Sequence, residues 1–525
     1  MNFKSLVVVF LFAFCAVTHA AHHKSDGFKP IFDGKTLTGW SCLNMSYWSV
    51  EDGAITAKAT EENPCKKNQF LVWDQGELDD FELKLKFRIN GSAKANAGVQ
   101  IRSQIAADGH ASGYQCDIDQ GGNWIGALYD EHTGRRILAK RGQKTVITAD
   151  GKRTTTAIGG FRELTNLKPN VWHDYHISAR GTRIVLKVDG QVTADVTDNE
   201  TAHRDLIGKL AVQLHSGPPM VVQYKDIMLK RLPLADGRKK VVFLAGNPSH
   251  RPGDHEHNAG CLLLAKCLNE NASDKVVATV YRNNGWPADP TAFDNINALI
   301  TYSDGNARHP VIKKLKEVDA MAKNGVGIGF IHYAVEVPKG EAGQYFIDWT
   351  GGVFEIHFSV NPHWDAEFKA LPKHPIANGV KPFKINDEWY FNMRFVSDMK
   401  ASGVVPILTA VAPESTMARG DGHHSGNPEV RKLVSKKAPM HVMWSRQRKD
   451  GGRGFGFTGG HFHKNWGDPN HRGIVLNAIT WVAGADVPAS GVPSKVTADD
   501  LARNLDKKGV RKPKPKKKKP EQKKK

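Results

Sequence analysis

Histidine dominates the chemistry-bearing residues in the second half of this 525-residue chain. His250 follows Asn247-Pro248-Ser249, and His255 and His257 alternate in Gly253-Asp254-His255-Glu256-His257. His332 closes the apolar run 325–331, and His461 and His463 repeat the alternation in Gly459-Gly460-His461-Phe462-His463. Imidazole is the commonest side-chain ligand of divalent metals and an acid–base group near neutral pH. Two chemistries follow. His255 and His257 have the spacing of a metal-ligand pair in extended chain. His332 with Glu388, from Asn386-Asp387-Glu388-Trp389-Tyr390, could instead move protons on a substrate held by His250 and His461.

The first half offers carboxylates. In Gly113-Tyr114-Gln115-Cys116-Asp117-Ile118-Asp119 a strand puts Gln115, Asp117 and Asp119 on one face, because side chains repeat every two residues. Arg102 and His215 end two further strand-like runs and could line the same concavity. A base, an acid and an electrophile are what proton abstraction beside a carbonyl requires. Asp117 or His215 is the candidate base and Arg102 the electrostatic clamp. A divalent ion could serve as electrophile if Asp117, Asp119 and His215 converge. Tyr114, Gln115, Asp119 and Trp124 are candidate substrate-binding residues. Asp119, followed by Gln120-Gly121-Gly122, also fits a turn acceptor.

Two kinds of element must position these groups. From 28 to 232 the chain alternates apolar and polar residues at period two, as in 81–89 and 184–192, with Gly and Asp/Asn turns at short intervals. That predicts an all-β sandwich. From 238 to 485 short apolar runs at 240–246, 276–281, 297–302 and 325–332 alternate with helical stretches at 258–269 and 310–324. That predicts an α/β domain with a parallel sheet, helices on both faces, and ligands at the carboxyl ends of the strands. The Gly-rich stretch 451–456 lacks a following Lys-Ser/Thr and reads as a hairpin turn, so no nucleotide cofactor is expected.

The ends of the chain carry separate signals. Lys4, the apolar run 6–17 and Ala20 read as a signal peptide over 1–20, too short to span a bilayer, which predicts a secreted or periplasmic protein. The formal charge is +19, of which +11 comes from 507–525, so residues 506–525 read as a disordered Lys/Pro-rich tail. That tail could meet an anionic cell-envelope polymer; export argues against nucleic acid. Outside the leader five cysteines remain, an odd number, with Cys42–Cys65 a plausible disulfide.

Two resemblances join these readings. Phe32-Asp33-Gly34-Lys35-Thr36-Leu37-Thr38-Gly39-Trp40, then Gly98-Val99-Gln100-Ile101-Arg102, 113–119, Gly126-Ala127-Leu128-Tyr129, Trp172-His173-Asp174-Tyr175 and Leu214-His215-Ser216-Gly217 resemble the 3-keto-disaccharide hydrolase family. This implies a concanavalin-like jelly-roll and cleavage of glycosidic bonds in sugars already oxidised at C3, by elimination and hydration. The family often carries Glu at the place of Gln115, so one charge is missing here. The second half resembles the ThuA-like domain, a flavodoxin-like relative of class I glutamine amidotransferases named for trehalose utilisation. The resemblance rests on the histidine blocks above, 351–357, 386–390 and 479–484. His332 stands where amidotransferases place their nucleophilic cysteine, which excludes thiolate chemistry there. The implied protein is a secreted carbohydrate-active enzyme acting on 3-keto-glycosides, with the second domain working on related sugars. The alternative is a non-catalytic glycan-binding protein tethered by its basic tail.

Overall fold

The computed structural model describes residues 26–164 and 168–509. The expected signal peptide and the expected tail beyond 509 lie outside the described residues. None of the described helices is long and apolar enough to cross a membrane.

The N-terminal part is a two-sheet sandwich. In the strand Phe81–Gly91, Phe81, Leu83, Leu85, Phe87 and Ile89 are buried and the residues between them are not. They meet Tyr114, Cys116 and Ile118 of the strand Ala111–Asp119 in one core. Each such side chain contributes about 1.5–3 kcal/mol by leaving water. The second sheet is seven-stranded, in the order Arg136–Ala139, Leu128–Glu131, Ala111–Asp119, Asn96–Ile105, Lys209–Leu214, Gln69–Trp73 and Trp40–Ser41. Since one parity of each strand fills the core, the other parity is left for the outer face, where Gln115 and Asp117 lie.

The C-terminal sheet is mixed, a correction to the parallel flavodoxin-like expectation. Val276–Tyr281, Lys239–Ala245, Ala298–Tyr302, Gly327–Ile331 and Arg453–Phe457 run parallel. Pro439–Gln447 and Val404–Val411 extend the edge antiparallel. The reason is the turn at 448–452: a short hairpin can only reverse the chain, whereas a parallel neighbour needs a long crossover. The faces follow period two. Val241, Phe243 and Ala245 pack under the helices His257–Asn271 and Pro469–Val482, while Val242 and Leu244 share a core with Leu315–Lys323 and Glu341–Thr350. The helix expected from 310 begins at Leu315, because turns close Ile312 N on His309 O (3.1 Å) and Lys314 N on Val311 O (2.8 Å).

The two domains are tied by buried charge. Arg231 at the end of the last sandwich strand donates to Asp289 (2.9 Å), Thr291 (2.9 Å) and the Glu77 carbonyl (2.8 Å). Lys240, opening the next sheet, donates to Asp79 at 2.9 Å. The expected tail also begins too early. Asp506 accepts from Asn258 (2.8 Å), and the buried Lys508 ammonium donates to the His255 carbonyl (3.2 Å) and pairs with Glu256 at 3.1 Å. Paired this way, Asp506 and Lys508 are packed against the domain. Cys42 and Cys65 are separate thiols, a correction to the expected bridge: Cys65 donates to the Lys67 carbonyl at 3.0 Å and Cys42 faces Gln69.

Candidate functional site

The outer face of the second sandwich sheet forms a cleft of about 500 Å³ lined by Asn96, Gln115, Asp117, Tyr129, Glu131 and His215, with Trp124 40% exposed at its edge. Asp117 ends a file of aligned donors. Ser103 Oγ donates to Gln100 (2.7 Å), Gln100 Nε2 to Gln115 (2.8 Å), and Gln115 Nε2 to Asp117 Oδ1 (2.8 Å). Gly98 makes room for it: a Cβ there would stand 2.8 Å from Gln115 Cγ. Burial pushes the Asp117 carboxyl well above the usual carboxylate range. The Gln115 bond opposes this, and the charges of Glu131 and Asp119 add to it. His215 follows the strand Lys209–Leu214, and its Nδ1 donates to the Ser216 carbonyl at 2.6 Å. A carbonyl only accepts, so Nδ1 carries a proton, and in the neutral ring Nε2 is the atom left with a lone pair.

Other expected residues do not act here. Arg102 is 1% exposed and its guanidinium is spent on the Asp79 carbonyl (2.8 Å), the Gly181 carbonyl (2.7 Å) and Asp80 (2.8 Å). It is a structural tie, not a clamp. Tyr114 has the opposite parity to Gln115 and points into the core, where its hydroxyl donates to Asp198 at 2.6 Å. Asp119 borders the cleft but accepts the amides of Asn123 (2.8 Å), Trp124 (3.0 Å) and Ile125 (2.7 Å), so it shapes the turn that presents Trp124. Asp117, Asp119 and His215 therefore do not assemble a metal site. Glu131 was missed, although it lies two residues beyond Tyr129 on the same strand face.

In the α/β domain four side chains meet at the carboxyl end of the sheet. His332 directly follows the strand Gly327–Ile331 with φ +58°, and His255 sits with φ +47° in the loop before the helix His257–Asn271. Glu388 ends the strand Phe383–Glu388, and His461 follows Arg453–Phe457. Their ligand atoms all lie within 4.8 Å of one another. His255 Nε2 is 3.0 Å from both His332 Nε2 and His461 Nδ1, and His461 Nδ1 is 3.0 Å from Glu388 Oε2. The outward nitrogens are held: His255 Nδ1 by Asp304 (3.0 Å) and His332 Nδ1 by the Thr458 carbonyl (2.8 Å). With those protons outward, the Nε2 atoms of His255 and His332 face each other as two lone pairs. Burial, and then neighbouring imidazoles, push both rings well below the ordinary histidine value, so they are neutral. Asp387, fully buried, accepts the amides of Gly460 (2.8 Å) and His461 (3.0 Å) and fixes that loop. Two lone pairs that close repel unless a cation lies between them. Three imidazoles and a carboxylate, with the His255 and His332 rings anchored behind, form a donor set that fits a divalent metal.

His257 is not part of this set. Its Nδ1 donates to the Asn247 carbonyl at 3.0 Å and its Nε2 stands 3.8 Å from Asp304, behind His255. Alternation in extended chain was the wrong assumption, because a helix begins at His257 and turns it away. His250 stacks on His255 with ring centroids 3.6 Å apart and remains partly exposed at the mouth. Tyr390, not singled out from sequence, places its hydroxyl 3.3 Å from both His332 Nε2 and Glu388 Oε2.

Comparison with known proteins agrees with this division. Residues 27–230 match the family model of the 3-keto-alpha-glucoside-1,2-lyase-like domain, and residues 241–482 match that of trehalose utilisation, ThuA. Among solved structures, a candidate glycosyl hydrolase from Parabacteroides distasonis ATCC 8503 is 18% identical over 40% of this chain and 95% of its own, with a TM-score of 0.28. A carbohydrate-binding module from Bacillus subtilis is 13% identical over 37% of this chain and 95% of its own, with a TM-score of 0.26. A candidate ThuA-like protein from Bacteroides uniformis ATCC 8492 is 16% identical over 47% of this chain and 93% of its own, with a TM-score of 0.34. No curated protein matches at a significant level. The chain is thus a fusion of a 3-keto-alpha-glucoside-1,2-lyase-like domain followed by a ThuA domain.

Proposed function

We propose that this chain is a carbohydrate-active enzyme that cleaves the glycosidic bond of 3-keto-glycosides in the sandwich cleft. The observation that carries the reading is the pairing, in one cleft, of a buried carboxyl pushed toward its protonated form, Asp117, with an imidazole, His215, whose Nδ1 is tied to a carbonyl. A carboxyl that favours its acid form beside an imidazole able to take a proton is what acid–base cleavage needs.

The ketone at C3 acidifies the proton at C2. His215 Nε2 removes that proton while the C1–O bond breaks and Asp117 gives its proton to the departing oxygen. A C1=C2 double bond conjugated with the ketone results, together with the free alcohol. Water then adds across that bond. Asp117 takes a proton from the water as its oxygen bonds to C1, and His215 returns a proton to C2. Both groups end as they began. The file Ser103–Gln100–Gln115 holds Asp117 Oδ1 and keeps the carboxyl aligned. Trp124 offers an exposed aromatic face for the sugar.

We also assign His255, His332, His461 and Glu388 as the ligands of a divalent metal ion in the ThuA domain, acting on a related sugar. When bound, such an ion supplies Lewis-acid polarisation of a ligand oxygen. Asp304 and the Thr458 carbonyl orient the rings, and Tyr390 holds a proton beside Glu388. The apolar leader supports export, which would put the substrate outside the cytoplasm.

The test is turnover of 3-keto-glucosides by the full chain, followed by NMR. Release of 3-keto-glucose that is lost in His215→Ala and Asp117→Asn supports the reading. Sugar binding without turnover would replace it with a glycan-binding module.

A further inference from the structure

A second cluster of ligand atoms lies on the sandwich, far in sequence from the ThuA centre. His110 closes the turn between the strands Asn96–Ile105 and Ala111–Asp119, where Ala106 N donates to the His110 carbonyl at 2.8 Å. Glu131 ends the neighbouring strand Leu128–Glu131, paired with Gly113, and His132 follows it. Adjacent residues of a strand point to opposite faces. Here His132 takes a left-handed backbone, φ +57°, which brings its ring round to the side of the Glu131 carboxylate, Nε2 to Oε1 3.1 Å. The His110 and His132 rings stand with centroids 3.8 Å apart at 85°, each with Nε2 turned to the other. Phe70 supports His110 edge-on at 5.7 Å. One nitrogen from each histidine and one carboxylate oxygen all lie within 4.8 Å of one another.

We propose that His110, Glu131 and His132 bind a divalent cation of the zinc, cobalt or nickel class at the rim of the cleft. Two imidazoles and one carboxylate make a three-ligand set that selects such ions over magnesium or calcium, which prefer all-oxygen sites. The His132 side chain is 49% exposed, so the ion has a path of entry and keeps open positions for outside ligands. Glu131 lines both the cleft and an adjoining cavity of about 420 Å³, so the cation sits in their common wall. It therefore brings positive charge to the cleft without using Asp117 or His215.

The experiment is cobalt(II) titration of the chelator-stripped full-length protein by calorimetry and visible absorption, needing no substrate. It compares wild type with His132→Ala, Glu131→Gln and His461→Ala. The expected result is one equivalent lost, or weakened at least about 100-fold, in His132→Ala, weaker binding of the same equivalent in Glu131→Gln, and that equivalent intact in His461→Ala. An unchanged apo melting temperature shows that His132→Ala is folded. If His132→Ala binds cobalt as wild type does, or if the whole uptake of wild type vanishes in His461→Ala, the proposal is overturned. The second result would leave the ThuA centre standing, and loss only in His461→Ala and not in His132→Ala separates the two sites.

Discussion

Asp117→Asn is the sharpest perturbation of the proposed chemistry. Asparagine keeps the size of the side chain, and its carbonyl oxygen can still accept from Gln115 Nε2, which sits 2.8 Å away in the wild type. What disappears is the proton. General acid catalysis of this kind is worth about 10²–10⁴ in rate, or about 2.7–5.4 kcal/mol in the barrier. Stability should move the other way. The carboxyl is raised in the folded state, so its contribution is full below the unfolded value of about 3.9 and is lost as pH rises through the folded value. Between those two values the wild type loses stability as pH rises, because the unfolded chain releases the proton before folded Asp117 does, so Asp117→Asn, with no proton to release, should melt at the same temperature or higher there. The assay compares two 3-keto-glucosides, one with an alkyl and one with a nitrophenyl leaving group, alongside thermal unfolding. The alkyl substrate should lose the full factor, whereas the nitrophenolate leaves without help and should lose under about tenfold. Equal losses for both leaving groups, in a variant that melts normally, would refute the assignment of Asp117 as the acid.

Further perturbations separate the remaining roles. His215→Ala should abolish exchange of the C2 proton of 3-keto-glucose with deuterated solvent, read by NMR, while leaving sugar affinity in place. Asp304→Ala removes the acceptor 3.0 Å behind His255 and should weaken metal binding about 10–100-fold in a competition assay with a chromophoric chelator. Arg102→Met leaves Asp80 buried without its partner and should cost about 3–5 kcal/mol in denaturant unfolding, with kcat of the folded fraction unchanged. Lys508→Ala should lower the melting temperature and loosen the His255 loop, seen as faster amide exchange at 253–257, because Glu256 loses its buried cation.

The sequence made the strands legible because period two survives in plain view. The alternation at 81–89 marked both the core residues and the strand length. The same rule put Gln115 and Asp117 on one face, and it argues against Tyr114, which was included for its chemistry rather than its parity. Three histidines of the ThuA centre were visible as types, and His332 was placed at the strand end. Which of them converge was not visible, because that depends on left-handed turns at His255 and His332 and on a helix that starts at His257. Arg102 was misread because an arginine on a strand end looks the same in sequence whether it faces a ligand or three acceptors of its own chain. The antiparallel edge of the second sheet was implied by the hairpin at 451–456, yet strand–helix alternation before it suggested a uniform parallel sheet.

Arg231 and Lys240 do more than mark where one domain ends. Each is a buried cation whose partner acids lie across the junction, so neither domain can unfold alone without stranding charge in a half-exposed interface. The chain should therefore denature in one transition, not two. Thermodynamic linkage then applies to the whole molecule. A metal at 100 times its dissociation constant in the ThuA domain stabilises that domain by about 2.7 kcal/mol, and the sandwich shares that protection.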